Sequence, residues 1–189
     1  FTGDNSYVAT SLNNLALLYN NQGKYSEAKP LCLDALEIRK RLFTSDHRDV
    51  ANSLNSLANL YHNQGRYSEA ESLYLDALEM RKRLFIGNHP DVATSLNNLA
   101  GFYHKQGRYS EAEPLYIDAL AMSERVLGTN HHTTRIFRNN LQSLQQQIIP
   151  RPFYIRLLNN LSVVLTLLLH RVRLLIKRII IFSWRLFRH

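Results

Sequence analysis

The chain has 189 residues, 45% of them apolar, one cysteine (Cys32) and a formal charge of +8. That apolar share excludes a wholly disordered chain, and a single cysteine excludes an intrachain disulfide; stability has to come from packing, in what reads as a reducing, cytoplasmic setting. The charge does not describe a nucleic-acid binder: residues 1–124 hold all 15 acidic residues and 12 of the 23 basic ones, while residues 125–189 hold the other 11 basic residues and no acid. The basicity is a property of the C-terminal third, and no specific nucleic-acid contact is expected. The sequence starts at Phe1 without an initiator methionine or a basic-then-apolar leader, which reads as a fragment or a processed start.

From the N-terminus, residues 11–28 read SLNNLALLYNNQGKYSEA, and the words return as SLNSLANLYHNQGRYSEA at 53–70 and SLNNLAGFYHKQGRYSEA at 95–112, a period of 42. Self-similarity at a fixed period dictates a repeat architecture. It sets units at 1–42, 43–84 and 85–126, a partial fourth at 127–147 that supplies a capping helix, and a basic hydrophobic tail at 148–189. Within a unit the apolar positions have helical spacing: Leu12, Leu15, Ala16 and Tyr19 form one stripe, and Ala28, Leu31, Cys32, Ala35 and Leu36 another. Each unit is therefore a pair of amphipathic helices. Between them, Gly23, Gly65 and Gly107 can take the positive φ that ends a helix.

Local chemistry decorates these pairs. Ser68 with Glu71, and Ser110 with Glu113, have capping-box spacing, whereas Lys29 replaces the glutamate in the first unit. Glu37 with Arg41 and Glu79 with Arg83 have the favourable order for i to i+4 ion pairs. The RKR at 39–41 and 81–83 places cations at the negative helix end, with contact to an acidic peptide as the competing reading. His47, His89 and His131 recur with the period. Equivalent residues of stacked units stand about 10 Å apart or more, too far to share one zinc ion. They precede Asp49, Asp91 and Pro90, residues suited to a helix start, so no metal site is expected. Cys32 stands where Tyr74 and Tyr116 stand, a core position rather than that of a nucleophile. With no phosphate loop, nucleophile elbow or CxxC, the chain reads as a non-enzyme without cofactor.

Leu57, Ala58, Tyr61, Gly65, Tyr67, Ala70, Tyr74 and Ala77 alternate bulky and small residues in a pattern that resembles the tetratricopeptide repeat. The 42-residue period, the LNNLA helix and the NHPDVA connection are similar to the kinesin light chain branch of that family. The resemblance implies an all-α fold, a right-handed superhelical solenoid of antiparallel helix pairs with a C-terminal capping helix. It also implies a concave groove, lined by the first helices, that holds an extended peptide. At 100° per residue, Asn13, Leu17 and Asn20 lie on one flank of the first helix and Ser11, Asn14 and Leu18 on the other. By analogy with the family the first flank faces the groove. The expected peptide-binding residues are Asn13, Asn55 and Asn97, with Asn20, Asn59, His62 and His104, while Asn14 reads as surface. A carboxamide offers donor and acceptor together, which suits a peptide backbone of any sequence. The function this implies is a scaffold or adaptor for a protein segment. A regulatory repeat fragment of a larger signalling protein or enzyme, and a membrane-associated adaptor, are the alternatives.

Beyond Pro150 and Pro152 the repeat pattern ends. The apolar run at 157–169 is shorter than a membrane span. From Arg171 a helical projection gathers Val172, Leu175, Ile176, Ile179 and Ile180 on one face and Lys177, Arg178 and Arg185 on the other, with Trp184 near the boundary. That is the pattern of a basic helix on an anionic membrane surface, through residues 153–189. Residues 148–189 also lack Ala, Gly, Asp and Glu altogether, as a shifted or unselected reading frame would. A terminal helix packed on the stack is the third reading.

Overall fold

Within each repeat the chain has to end one helix and begin the next a few residues later with no backbone group stranded, and glycine makes that possible. Gly23, Gly65 and Gly107 sit at φ 74°, 76° and 74°. The next amide then reaches back to the helix it has left: Lys24 N–H to the Tyr19 carbonyl at 2.9 Å, Arg66 to Tyr61 at 2.8 Å and Arg108 to Tyr103 at 3.0 Å. Such a closure satisfies the orphan carbonyls of the last turn and turns the chain back on itself. The computed structural model describes residues 5–148. Among them it has seven helices and no strand: α1 (Ser6–Asn21), α2 (Tyr25–Leu42), α3 (Arg48–Asn63), α4 (Tyr67–Leu84), α5 (Pro90–Lys105), α6 (Tyr109–Leu127) and α7 (His132–Ile148). The helix pairs lie in the first of two units, Phe1–Gln145 and Gln146–His189.

The pairs α1/α2, α3/α4 and α5/α6 are hairpins, and each of α2 and α4 also packs on the first helix of the next pair. This is the all-α solenoid the period predicts. Each pair has a fully buried alanine on both of its helices, Ala16 and Ala28, Ala58 and Ala70, Ala100 and Ala112, small residues that permit close approach of the backbones. Between pairs the filling is bulky: Tyr74, Leu78, Leu96, Leu99 and Phe102 belong to one continuous apolar cluster that extends to Phe137, Leu141 and Leu144 of α7.

The seams between pairs also contain a buried cation. Arg39 of α2, 4% exposed, donates from Nη1 to the Asp49 carbonyl (3.2 Å) and Ser53 Oγ (2.7 Å) of α3, and from Nη2 to Thr10 Oγ1 (3.0 Å) of α1. Arg81 repeats the arrangement on the Asp91 carbonyl (3.0 Å), Ser95 Oγ (2.7 Å) and Asn52 Oδ1 (2.5 Å). One side chain thus ties three helices. Burial draws both guanidinium groups below their ordinary value, opposed by the charges of Asp49 and Asp91. The first arginine of each RKR is therefore a seam residue and not a solvated charge at a helix end. At the third seam Ser123 takes that position and shares a 2.8 Å hydrogen bond with Thr134, both fully buried.

Two local expectations are corrected. The capping boxes do not form: α4 and α6 begin at Tyr67 and Tyr109 with Arg66 and Arg108 at the N-cap, so Ser68 and Ser110 are already inside the helix. Glu71 turns instead to the next repeat, accepting from Tyr103 Oη (2.8 Å) and Arg108 Nη1 (2.9 Å), and Glu113 accepts from Gln145 Nε2 at 3.5 Å. Lys29, in the same register, lies over the Tyr61 ring at 5.9 Å. Of the two i to i+4 pairs, Glu37–Arg41 forms at 2.5 Å, whereas Glu79 pairs with Lys82 at 2.9 Å and Arg83 reaches Asp46 at 2.5 Å. The histidines serve as helix caps: the Nδ1 of His47 and of His89 each accepts at 3.1 Å from the amide of Asp49 or Asp91. Their rings stack on Phe43 and Phe85 at 3.4 and 3.6 Å. His131 caps α7 in the same way, on the Thr133 amide at 3.2 Å.

Arg81→Ala leaves one carbonyl, one hydroxyl and one carboxamide without their donor inside a seam, and is expected to cost about 2–4 kcal/mol in urea denaturation. Arg83→Ala, which removes an exposed pair, should move the midpoint far less. A second expectation concerns acid. The hydrogen bond from Arg108 holds the Glu71 carboxyl below its ordinary value of 4.5, against the opposing effect of burial and with help from Tyr103. A depressed carboxyl contributes stability that is present above 4.5 and lost as pH falls through the folded value. Unfolding midpoints measured between about pH 7 and pH 3 should therefore fall less steeply for Glu71→Gln than for the parent chain.

Candidate functional site

The first helices form a wall. α1 packs against α3 and α3 against α5, whereas the backbones of α2, α4 and α6 do not approach one another in this way, so the odd-numbered helices stand closer together than the even-numbered ones. Along this wall each polar bridge spans one period plus one residue. Asn13 Nδ2 donates to Ser56 Oγ at 2.9 Å, Asn63 Nδ2 to Asn20 Oδ1 at 3.0 Å, Asn140 Nδ2 to Asn97 Oδ1 at 2.9 Å and Arg48 Nη2 to Asp91 Oδ1 at 2.9 Å.

This pattern revises the split between Asn13 and Asn14. The Asn13 flank of one helix meets the Asn14 flank of the next, so both flanks lie in seams of the wall; Asn14 is exposed because no described helix precedes α1. The centre of the wall is the position between them, occupied by Leu17, Asn59 and Gly101. Asn55 is buried, at 6% exposure; its Nδ2 donates to the Ala51 carbonyl of its own helix at 3.2 Å, and its Oδ1 has no partner. Asn20 is equally buried. His104 meets Tyr109 and Tyr116 edge-on at 5.8 and 6.1 Å.

The central position differs in every repeat, and the difference opens a pocket. In the first, Leu17 holds the position and Cys32 stands in the register of Tyr74 and Tyr116. In the second, the Tyr74 hydroxyl donates to Asn59 Oδ1 at 2.7 Å. In the third, Gly101 brings no side chain to the Tyr116 hydroxyl; a Cβ there would stand 3.4 Å from it. The space above is a pocket of about 240 Å³ between α3, α5 and α7, with Tyr116 in its lining. Of the expected residues it brings together Asn59, His62 and Asn97; Asn13, Asn20, Asn55 and His104 do not line it. Sequence reasoning missed Gly101, Asn98, Lys105, Tyr116 and Asn140. The available signal was LAGFY against LANLY and LALLY, because a glycine inside a helix costs about 1 kcal/mol against alanine and calls for a packing or functional reason.

The pocket is lined by one cation, Lys105, and no carboxylate. His62 Nδ1 is buried without a partner, and burial, with the charge of Lys105 second, holds its imidazole below the ordinary value, hence neutral at about pH 7. Burial also pushes the Tyr116 phenol up to about 12, so its hydroxyl remains a donor. A hydroxyl, carboxamide groups and an ammonium therefore converge on one space. Cys32 has no such access: it is 2% exposed and burial pushes its thiol up to about 11. A thiol reagent at about pH 7 should leave the native chain unmodified over the time in which it titrates one thiol in the urea-unfolded chain, read by absorbance. Among the described residues no helix is long and apolar enough to cross a membrane. The membrane-surface residues Arg171, Lys177, Arg178, Trp184 and Arg185 lie outside the described residues.

A tetratricopeptide repeat family model matches residues 7–83 and a second tetratricopeptide repeat model matches residues 92–133, together more than half of the sequence. No curated protein matches it. Among solved structures, a Podosopora anserina protein assigned as a kinesin light chain with nearly identical TPR-like repeats superposes with a TM-score of 0.67 at 24% identity, over 77% of this chain and 68% of its own. BtubC (BKLC) from P. vanneervenii gives 0.67 at 25%, over 77% and 57%. A point variant of the Podosopora anserina protein gives 0.65 at 24%, over 74% and 65%. This chain thus spans little more than half to two thirds of those structures.

Proposed function

This chain belongs to the tetratricopeptide repeat family, whose repeats mediate protein–protein interaction and whose fold is in general a non-enzymatic scaffold, and we propose that it holds an extended segment of a partner protein against the wall of α1, α3 and α5. The observation that carries the reading is the pocket at Gly101. An extended peptide presents N–H and C=O groups at every residue, and the pocket offers both complements: the Asn98 carboxamide oxygen can accept an N–H, while Tyr116 Oη and Lys105 Nζ can donate to a carbonyl. Asn59, His62 and Asn97 act at the pocket. Asn13, Asn20, Asn55 and His104 act behind it, through the spacing of the wall helices. The chain needs no metal or cofactor for this role.

The second repeat supplies the test. There Asn59 fills the central position and engages Tyr74, so Gly101→Asn should close the pocket on Tyr116 with helix content kept or raised. With a peptide selected from a random library on the intact chain, fluorescence anisotropy should show at least a tenfold loss of affinity for Gly101→Asn. Unchanged affinity with an unchanged circular dichroism spectrum would remove the pocket from the function.

A further inference from the structure

The polar bridges of the wall join residues one period plus one residue apart, and one such slot is filled by groups that cannot share a bond once both are charged. In the first seam the slot is Asn20 and Asn63, joined at 3.0 Å. One period on, the same slot of the second seam holds His62 of α3 and Lys105 of α5. His62 Nδ1 is buried there without a partner, and both side chains line the pocket. The ring is half-buried, edge-on to Phe102 of α5 at 5.4 Å and tilted against Tyr67 of α4 at 5.6 Å, so rings from both neighbouring helices hold it in the α3 side of the pocket. The other titratable groups around it are Tyr67 and Tyr74 of α4, Lys105 of α5 and Tyr116 of α6, three phenols and one ammonium; no carboxylate lines the pocket. A neutral imidazole tolerates this place. An imidazolium does not, because it sets a second positive charge beside Lys105 and a proton on a buried nitrogen that has no acceptor.

We propose that His62 and Lys105 make the pocket proton-sensitive: the neutral ring stays in the slot and walls the α3 side under a bound segment, whereas the protonated ring leaves the slot and the segment is released. The inference rests on the reading of the pocket as the seat of a partner segment and adds its regulation. Its direction follows from linkage. A segment lying over the pocket removes water from His62 and favours the uncharged ring, so the bound chain holds fewer protons than the free one. In the free chain burial, with the charge of Lys105 second, already holds the imidazole below its ordinary value of 6.5. Affinity is therefore full at 6.5 and above and is lost as pH falls through the lowered value. By reciprocity the bound segment lowers that value further.

The test follows the histidine ring protons of the intact chain by NMR between about pH 7.5 and about pH 5, with His62 assigned as the signal that His62→Asn removes. His62 should titrate below 6.5, its nuclear Overhauser contact with Phe102 should fade along the same curve, and Lys105→Met should move that curve up. A peptide selected from a random library on the intact chain, free of Asp, Glu and His and blocked at both ends, should lose about threefold or more in affinity over that range and should move the His62 curve down when bound. His62→Asn with Lys105→Asn copies the Asn20–Asn63 pair and keeps every other histidine. It should flatten the pH dependence whatever its affinity at the upper end, as should His62→Phe, which keeps a ring against Phe102. Three results would overturn the proposal and leave peptide binding in place: a His62 that titrates at or above 6.5, a Phe102 contact that persists through the titration, or a pH dependence that survives in both variants. A chain that takes up no peptide at either end of the range would overturn it together with the reading on which it rests.

Discussion

A guanidinium group taken out of water has to find several acceptors at once, and the seams of this molecule are arranged around that requirement. Arg39 and Arg81 each find a first-turn carbonyl, a serine hydroxyl and a polar side chain on the preceding first helix. Each contact fixes one distance, and together they fix the register of three helices. A small slip of one helix would leave a buried charge short of partners, so the arginine gives the stack its specificity, whereas alanine and leucine burial drives its assembly. The chain honours this with residues that look unrelated in the sequence: Thr10 or Asn52 ahead of the arginine, and Ser53 or Ser95 fourteen positions after it.

Once the register is fixed, the wall follows. The backbones of the odd-numbered helices approach one another and those of the even-numbered ones do not, so polar side chains on the odd helices are pressed into seams and bridge with a step one residue longer than the period. That step explains why Asn13 and Asn97 are engaged across the wall, with Ser56 and Asn140, while Asn55 bonds within its own helix. What remains open is the line midway between the flanks, where Leu17, Asn59 and Gly101 stand.

Much of this was legible in the sequence. The period gave the helix pairs, the glycines gave their breaks, and the aspartates after His47 and His89 marked helix starts. The positions of Glu71 and of the first arginine in RKR were misread because capping and helix-end charge are local rules, while their partners lie in the next repeat. Tyr103 is 32 residues from Glu71 and Ser95 is 14 from Arg81. The flank assignment of the asparagines failed for a related reason: a helical projection gives directions around one helix and carries no information about where the neighbouring helix stands.

The repeats are not equivalent, and the inequality has a direction. The first seam has Lys29 where the second has Glu71, and Cys32 where the second has Tyr74, so it lacks the carboxylate that joins Tyr103 and Arg108 and the hydroxyl that engages Asn59. The second seam is the most completely bonded. The pocket lies beside it, between α3, α5 and α7, where Gly101 removes a side chain from the wall. A repeat protein whose neighbours all obey one register gains a ligand site most readily by omission, because deleting a side chain at the centre of the wall exposes groups the stack already holds in place. The departure from the period at Gly101 is therefore more informative about function than the asparagines that keep it.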